Sequence, residues 1–531
     1  HGLFDYDDLL FELERLLTDH APAAAWAQER FSHLMVDEFQ DTNLVQARLV
    51  RLIAGQRANV MAVGDDAQSI YAFRGAQVRN ILGFPDMFPG AKLVRLEQNY
   101  RSTQPILDLT NGILAQAKTA FKKHLYSERK DGPRPQLIRT MSDRTQAKMV
   151  INKVLELSRT RPLHEVAVLF RAGYQSYSLE LALNKIGIKY RKYGGMRFNE
   201  AAHVKDALAF LRLVRNPADL PAWGRILDHV KGVGPKTCAK VHAAAMGGDD
   251  ATIKATCKRL PGVAREMDFL DGLRTMNQAP AALLETVLEH YRPIMEQKFP
   301  DDWPKRQAGL EQLHQIAMGY PDLEAFLADI SLESPDDEVG PDPEDRLVLS
   351  TVHSAKGLEW RAVCIIDMVE DRFPSRHAMN RAEDLEEERR LLYVACTRAR
   401  DALCLFVPGS IFNQYSQMSE PVAASPFIAD LPDGSFELWR ENWSGVLSRV
   451  ENDGRGETVS SDGAEPPGPV EAARDAVLAH SAQADPARLG YCTHRIFGRG
   501  KIIAAPGPDK FKVNFPGFGV KTILADYLEL E

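Results

Sequence analysis

Apolar residues in this chain arrive in short runs that stop at polar loops. The clearest runs are HLMVDEFQD (33–41), ANVMAVGDDAQSIY (58–71), KLVRLEQNYRS (92–102), EVAVLFR (165–171), RLVLSTVHSAKG (346–357), AVCIIDM (362–368) and ALCLFVPGS (402–410). Strands this continuously apolar, separated by amphipathic stretches such as QPILDLTNGILAQA (104–117), predict parallel sheets covered on both faces by helices. Open sheets of that kind hold ligands beyond the carboxyl ends of their strands, and the polar residues crowd there. From about Lys205 to Asp337 the pattern turns helical, which predicts a helical domain inserted into an α/β domain. Within it KGVGPKTCAK (231–240) reads equally as a DNA-contacting helix-hairpin-helix turn or as a plain turn between helices. Residues from about Glu451 to Asp485, rich in Gly, Pro, Ser, Ala and Asp, predict a flexible linker. The alternating, glycine-punctuated end of the chain predicts a small β-barrel.

A length of 531 residues implies three or more domains, and 44% hydrophobic with 26% charged residues is the balance of a globular protein. No apolar run approaches the roughly 18 residues of a membrane span. The opening HGLFDYDDLL is not a basic-then-apolar signal, so the expected location is the cytoplasm. Cys238, Cys257, Cys364, Cys396, Cys404 and Cys492 form no C-x-x-C pair and read as buried thiols. A net charge of −8 argues against coating DNA by bulk electrostatics, but leaves room for a local groove that combines cations with stacking aromatics.

Chemistry enters with MVDEFQD. An apolar strand delivers Asp37 and Glu38 side by side, suited to holding Mg²⁺ through its water shell and to orienting an attacking water. Alone, such a pair is better explained by a solvated surface. Its companions change that reading: GDDAQSIYAFRGA (64–76), LEQNYRS (96–102), TVHSAKGLEW (351–360) and EEERRLLYVACTRAR (386–400).

In this order the motifs resemble those of the UvrD/Rep/PcrA-like superfamily 1 DNA helicases, with weaker similarity at YGGMRF (193–198), SPFIADLP (425–432) and the final segment. The resemblance implies two RecA-like α/β motor domains, the first truncated, with a helical insert and a Tudor-like β-barrel. Its boundaries are a remnant of the first lobe's inserted subdomain at 1–30 and a partial first motor domain at 31–93. The second motor domain occupies 94–204 and 345–450, the helical insert 205–344, a linker 451–487 and the Tudor-like domain 488–531. ATP and Mg²⁺ are the implied cofactors. Asp37 would hold the metal and Glu38 activate water, while Gln68 would sense the γ-phosphate. Tyr100 would stack on adenine, Glu359 would bind the ribose, and Arg101 and Arg398 would reach the γ-phosphate from the second lobe. Single-stranded DNA and duplex junctions are the implied partners, with Tyr71 and Phe73 stacking on bases and Arg74, His353 and Lys356 assisting. The final segment implies a protein partner, RNA polymerase, and no membrane. Departures occur at Ala201 and Tyr177, where the family commonly has arginine, and at Phe73, where it usually has tryptophan.

A complete site also needs G-x-x-x-x-G-K-[ST], whose backbone N–H groups and lysine cradle the phosphates. GVGPKT (232–237) and GFGVKT (517–522) are decoys, with Pro235 and Val520 where the glycine before lysine belongs. The sequence is therefore expected to be a C-terminal portion of a 3′-to-5′ helicase, lacking the phosphate loop and inactive by itself. The competing expectation is a non-hydrolysing module that binds DNA or RNA polymerase. A helicase-nuclease subunit would require a further acidic cluster with lysine, which the sequence does not carry.

Overall fold

The computed structural model describes residues 4–330 and 346–452, apart from 414–417 and a few single positions, and the backbone of strands between 457 and 530. The chain divides into one unit of residues 1–440 with 450–452 and a second of 441–449 with 453–531.

The first unit opens on helices Tyr6–Asp19 and Ala21–Arg30, the former started by a reciprocal capping box between Asp5 and Asp8. Strands β1 (Leu34–Val36) and β2 (Val60–Ala62) pair in parallel around helix Leu44–Ala54, which is capped by Asn43 and Gln46. The larger sheet comprises β3 (Gln136–Thr140), β4 (Val166–Phe170), β5 (Tyr190–Tyr193), β6 (Leu347–Thr351), β7 (Trp360–Ile365) and β8 (Ala399–Pro408). A short antiparallel pair, β9 (Ser410–Asn413) and β10 (Met418–Pro421), then leads to β11 (Glu437–Glu441). The order is β11-β3-β8-β7-β4-β6-β5, each neighbour parallel to the next. This is the mixed α/β architecture expected of a RecA-like motor lobe.

Central β4 is wholly buried along VAVLF, as a parallel strand covered on both faces must be. Helices Gln104–Ala115 and Ala382–Thr397 pack Ile106, Leu107, Leu391 and Leu392 against Ala167, Leu169, Val363 and Leu405. The opposite face receives helix Asp143–Ser158.

Between β5 and β6, which are sheet neighbours, the chain leaves to form helices from Ala202–Arg215 to Leu323–Ile330. Trp223 and Tyr291 lie in their shared core, and five of these helices begin with proline in the first turn, where a missing N–H costs nothing. KGVGPKTCAK joins helices Leu220–Leu227 and Pro235–Gly247, with Gly232 at φ +87°.

Several expectations need correction. KLVRLEQ forms no ladder: among the described residues its one bridge is Gln98 to Tyr126, and Leu93, Val94 and Leu96 stay exposed. A strand needs a partner's backbone, and hydrophobic content alone does not supply one. Strands β3, β5, β9, β10 and β11 were not anticipated. Ala201 and Tyr177, where arginine was the expected family residue, are buried, and Tyr177 packs edge-on against Phe198 at 4.9 Å.

In the second unit five strands form an antiparallel sheet in the order 519–524, 510–515, 498–507, 491–494, 529–530. Most of the expected linker, 460–490, lies outside the described residues; Glu457–Val459 is a strand.

Candidate nucleotide and DNA cleft

Strand β1 carries Asp37 and Glu38 to its carboxyl end. Glu38 adopts φ 50° and ψ 41°, a left-handed conformation that costs a non-glycine residue about 1–3 kcal/mol and persists only where neighbours hold it. Here Glu38 N donates to Asp37 Oδ1 at 2.9 Å, and Gln40 Nε2 donates to Glu38 Oε2 at 2.5 Å. Gln40 is fully buried, and its Oε1 accepts from Asp65 N at 3.0 Å, which ties the acidic loop to the loop after β2. A Cβ on Gly64 would stand 2.3 Å from Gln40 Oε1, so this approach requires glycine. Asp65 in turn accepts from Gln68 Nε2 at 2.8 Å. Lys123, reaching across from the second lobe, forms ion pairs with Asp65 and Asp66.

Beyond Gln68 a short turn, Ala72–Arg74, lifts Phe73 into solvent at 66% exposure. The Tyr71 and Phe73 rings meet edge-on at 6.0 Å, Phe73 meets His353 at 5.3 Å, and the Arg74 guanidinium lies 5.1 Å from the Tyr71 ring centre. The expected DNA platform is thus gathered in one place. Burial, then the positive charges of Arg171 and Arg74, pushes His353 down to about 4, so it is neutral near pH 7.

Lys356 is the exception. Its side chain is only 8% exposed; it pairs with Asp41, donates to Gln68 O at 2.8 Å, lies 3.5 Å from Glu38 Oε2 and sits 5.0 Å from the Tyr71 ring centre. This placement suits a bridge between the two first-lobe loops better than an outward charge for DNA. Burial raises Asp41 above the usual carboxylate range despite Lys356.

Tyr100, expected to stack on adenine, is 79% exposed and donates its hydroxyl to Gln98 Oε1 at 2.9 Å. Arg101 pairs with Glu359, and Arg400 stands 3.7 Å from the same carboxylate. Glu359 thus pairs with both cations. Arg398 is buried and donates to Val394 O and Leu358 O, both at 3.1 Å. Burial and the neighbouring Arg101 lower it to about 10, still cationic near pH 7. The two arginines expected at the γ-phosphate lie near one another, but Arg398 is committed to backbone carbonyls.

The residues fit a magnesium nucleotide in part. Among the described residues no cluster of three or more His, Cys, Asp or Glu could hold a metal. A lone carboxylate such as Asp37 suits Mg²⁺, which keeps most of its waters and takes its remaining ligands from phosphate. No helix among the described residues is long and apolar enough to cross a membrane. The five cysteines whose side chains are described are free; Cys257 is half-buried and the others are buried.

An acidic pair at one strand end, a glutamine loop at the next and arginines opposite, all on RecA-like α/β lobes, define a helicase-type motor. Comparison with known proteins makes this specific. The UvrD/REP helicase N-terminal domain matches residues 1–89, and the UvrD-like helicase C-terminal domain matches 94–251 and 283–408. DNA helicase II of Escherichia coli (strain K12) is 33% identical over 562 residues, covering 100% of this chain and 74% of its own length. DNA helicase II of Salmonella typhimurium is likewise 33% identical, and ATP-dependent DNA helicase PcrA of Bacillus subtilis is 32% identical over 82% of this chain and 62% of its own length. The chain belongs to the UvrD-like family of DNA helicases.

Sequence reasoning missed Gln40, Asp41, Asp65 and Lys123. Gln40 and Asp41 follow the acidic pair after Phe39, in a polar stretch that gave no sign of burial. Lys123 gave no sign of its role either, because its partners lie 57 and 58 positions away.

Proposed function

We propose that this chain forms part of an ATP-driven motor that moves 3′ to 5′ along single-stranded DNA and opens duplex junctions. The observation that carries this reading is the hydrogen-bonded line Glu38–Gln40–Asp65–Gln68, which meets Lys356 beneath the Tyr71–Phe73 platform. Bound ATP with Mg²⁺ would supply the energy of phosphoryl transfer to water. Asp37 would hold the metal's water shell, Glu38 would take a proton from the attacking water, and Gln68 would sense the terminal phosphate. Tyr100 and Glu359 would receive the base and the ribose. Arg101, released from Glu359, and Arg398, released from its carbonyls, would neutralise developing charge. Tyr71 and Phe73 would stack on bases, with Arg74 and the neutral ring of His353 completing the platform. The phosphate-cradling G-x-x-x-x-G-K-[ST] loop is not among these 531 residues, so the chain by itself binds single strands without turning over ATP. The cytoplasm is the expected setting.

The test is fluorescence anisotropy with labelled partial duplexes. Tyr71→Ala should weaken binding by about 5- to 150-fold, the equivalent of about 1–3 kcal/mol for one stacked base. A 3′ tail should support binding at the junction, and equal binding to a 5′ tail would sink the assigned polarity. The sheet spanning 491–530 is proposed as a Tudor-like protein-binding domain for RNA polymerase. Retention of the polymerase in a pull-down after deleting 488–531 would refute that assignment.

A further inference from the structure

The DNA-stacking loop belongs to the first lobe by sequence, and its turns are closed by its own backbone, yet two of its backbone groups are bonded to a helix of the second. Arg390 Nε donates to Ser69 O at 2.7 Å, and Ala72 N donates to Glu387 Oε1 at 3.1 Å. Arg79, just beyond the loop, pairs with Glu383 at 2.7 Å. Positions 383, 387 and 390 are spaced i, i+4, i+7, so they form one stripe along helix Ala382–Thr397. The helix is anchored to its own lobe by other residues. Glu388 accepts from Arg171 at 2.8 and 3.0 Å and from Ser375 Oγ at 3.0 Å, while Leu391, Leu392, Val394 and Ala395 are buried in the second-lobe core. The hydrogen bonds of Glu387 and Arg390 go instead to the loop.

Resting on the reading that Tyr71 and Phe73 stack on single-stranded DNA, we propose that Glu387 and Arg390 are positioning residues for that platform. They grip it on both sides of Tyr71, one at a carbonyl and one at an N–H. Two backbone groups three residues apart fix the turn that presents Phe73 outward and sets Tyr71 against Arg74. Neither side chain needs to touch DNA. The account also gives a reason for the chemistry at each position: a cation for the carbonyl of Ser69 and a carboxylate for the N–H of Ala72, each charge-assisted and so stronger than a neutral pair.

The experiment measures binding of labelled oligothymidylate to the full chain as a function of salt, with thermal melting as the folding control. Glu387→Ala and Arg390→Ala should each weaken binding about fivefold or more while leaving the salt slope unchanged, because no phosphate contact is lost. Arg390→Lys and Glu387→Gln, which keep a donor and an acceptor, should restore most of the affinity. Combining either alanine change with Tyr71→Ala should add little to Tyr71→Ala alone, since all three disable one platform. Wild-type affinity in both alanine variants, beside a loss in Tyr71→Ala, would overturn the proposal while leaving the DNA platform intact. A salt slope reduced by about one in Arg390→Ala would also overturn it, by making Arg390 a phosphate contact. Unchanged binding in Tyr71→Ala would overturn the platform reading itself, and the proposal with it. If Arg390→Ala melts early, the Glu387 variants alone decide between these outcomes.

Discussion

The two lobes of the first unit are built on the same principle and differ in how far they complete it. In the second lobe, parallel strands are covered on both faces, and every residue of β4 is buried. In the first, β1 and β2 leave Met35 at 74% and Met61 at 53% exposure on one face. Parallel strands ordinarily need cover on both sides. The second lobe is thus covered by its own helices, whereas the loops of the first that carry the proposed chemistry also receive contacts from the second: Lys356 at Asp41, Lys123 at Asp65 and Asp66, and Arg390 at Ser69. The chemistry proposed for this molecule thus falls on the less covered side of the cleft, and contacts from across it add to those its own loops make.

That contrast can be broken by experiment, most forcefully within the second lobe. Lys192 and Glu180 pair at 2.7 Å with both side chains 1% exposed, and Glu180 also takes Ser176 Oγ and Phe198 N. Burial lowers Lys192 from its ordinary value, opposed by Glu180. Lys192→Ala strands a buried carboxylate and should cost about 3–5 kcal/mol in urea unfolding. The cleft pair is wetter on its acidic side, with Asp41 at 20% exposure, so Lys356→Ala should cost about 1–2 kcal/mol. Equal costs would erase the distinction between the lobes.

Packing offers a second comparison. Leu169→Ala in the buried strand should cost about 2–5 kcal/mol, whereas Met61→Ala on the open face should stay within about 0.5 kcal/mol. A large effect at Met61 would mean that its face is covered in solution.

Acid offers a third comparison. Burial, then Arg306, pushes His203 down to about 4, and neither ring nitrogen has a hydrogen-bond partner. Asp206 and Asp302 act in the opposite direction. The unfolded chain takes up this proton near the ordinary value of about 6.5, so the stabilisation is fully present above that pH and is lost as pH falls toward 4. It amounts to at most about 3 kcal/mol. His203→Leu, which gives up no hydrogen bond, should be close to neutral at pH 7 and should flatten stability between pH 6.5 and 4. An unchanged acid profile would place the titration elsewhere.

Much of this organisation was legible in the sequence. VAVLF, RLVLST and ALCLFV announced the buried strands because a two-faced parallel sheet tolerates little else. The acidic pair and Gln68 stood out by their position at strand ends, whereas the roles expected of Tyr71 and Phe73 came from the family resemblance. Strand β5, YRKY, was hidden because the edge of a sheet admits charged side chains as readily as apolar ones. KLVRLEQ failed for the opposite reason: an apolar run is a strand only when a neighbour completes its ladder. The commitment of Lys356 to Asp41 and Gln68 was invisible, since 315 and 288 positions separate the partners and no local pattern records such a distance.

The most direct test of the account is ATP hydrolysis by this chain, with and without single-stranded DNA, beside a Glu38→Gln variant and a parallel measurement of DNA binding. The account predicts retained binding of single strands and no hydrolysis above background in either protein, because Glu38 and Gln68 have no phosphate-cradling loop among these 531 residues to act with. DNA-stimulated hydrolysis that disappears in Glu38→Gln would contradict it, and would require another lysine of this chain to reach the phosphates.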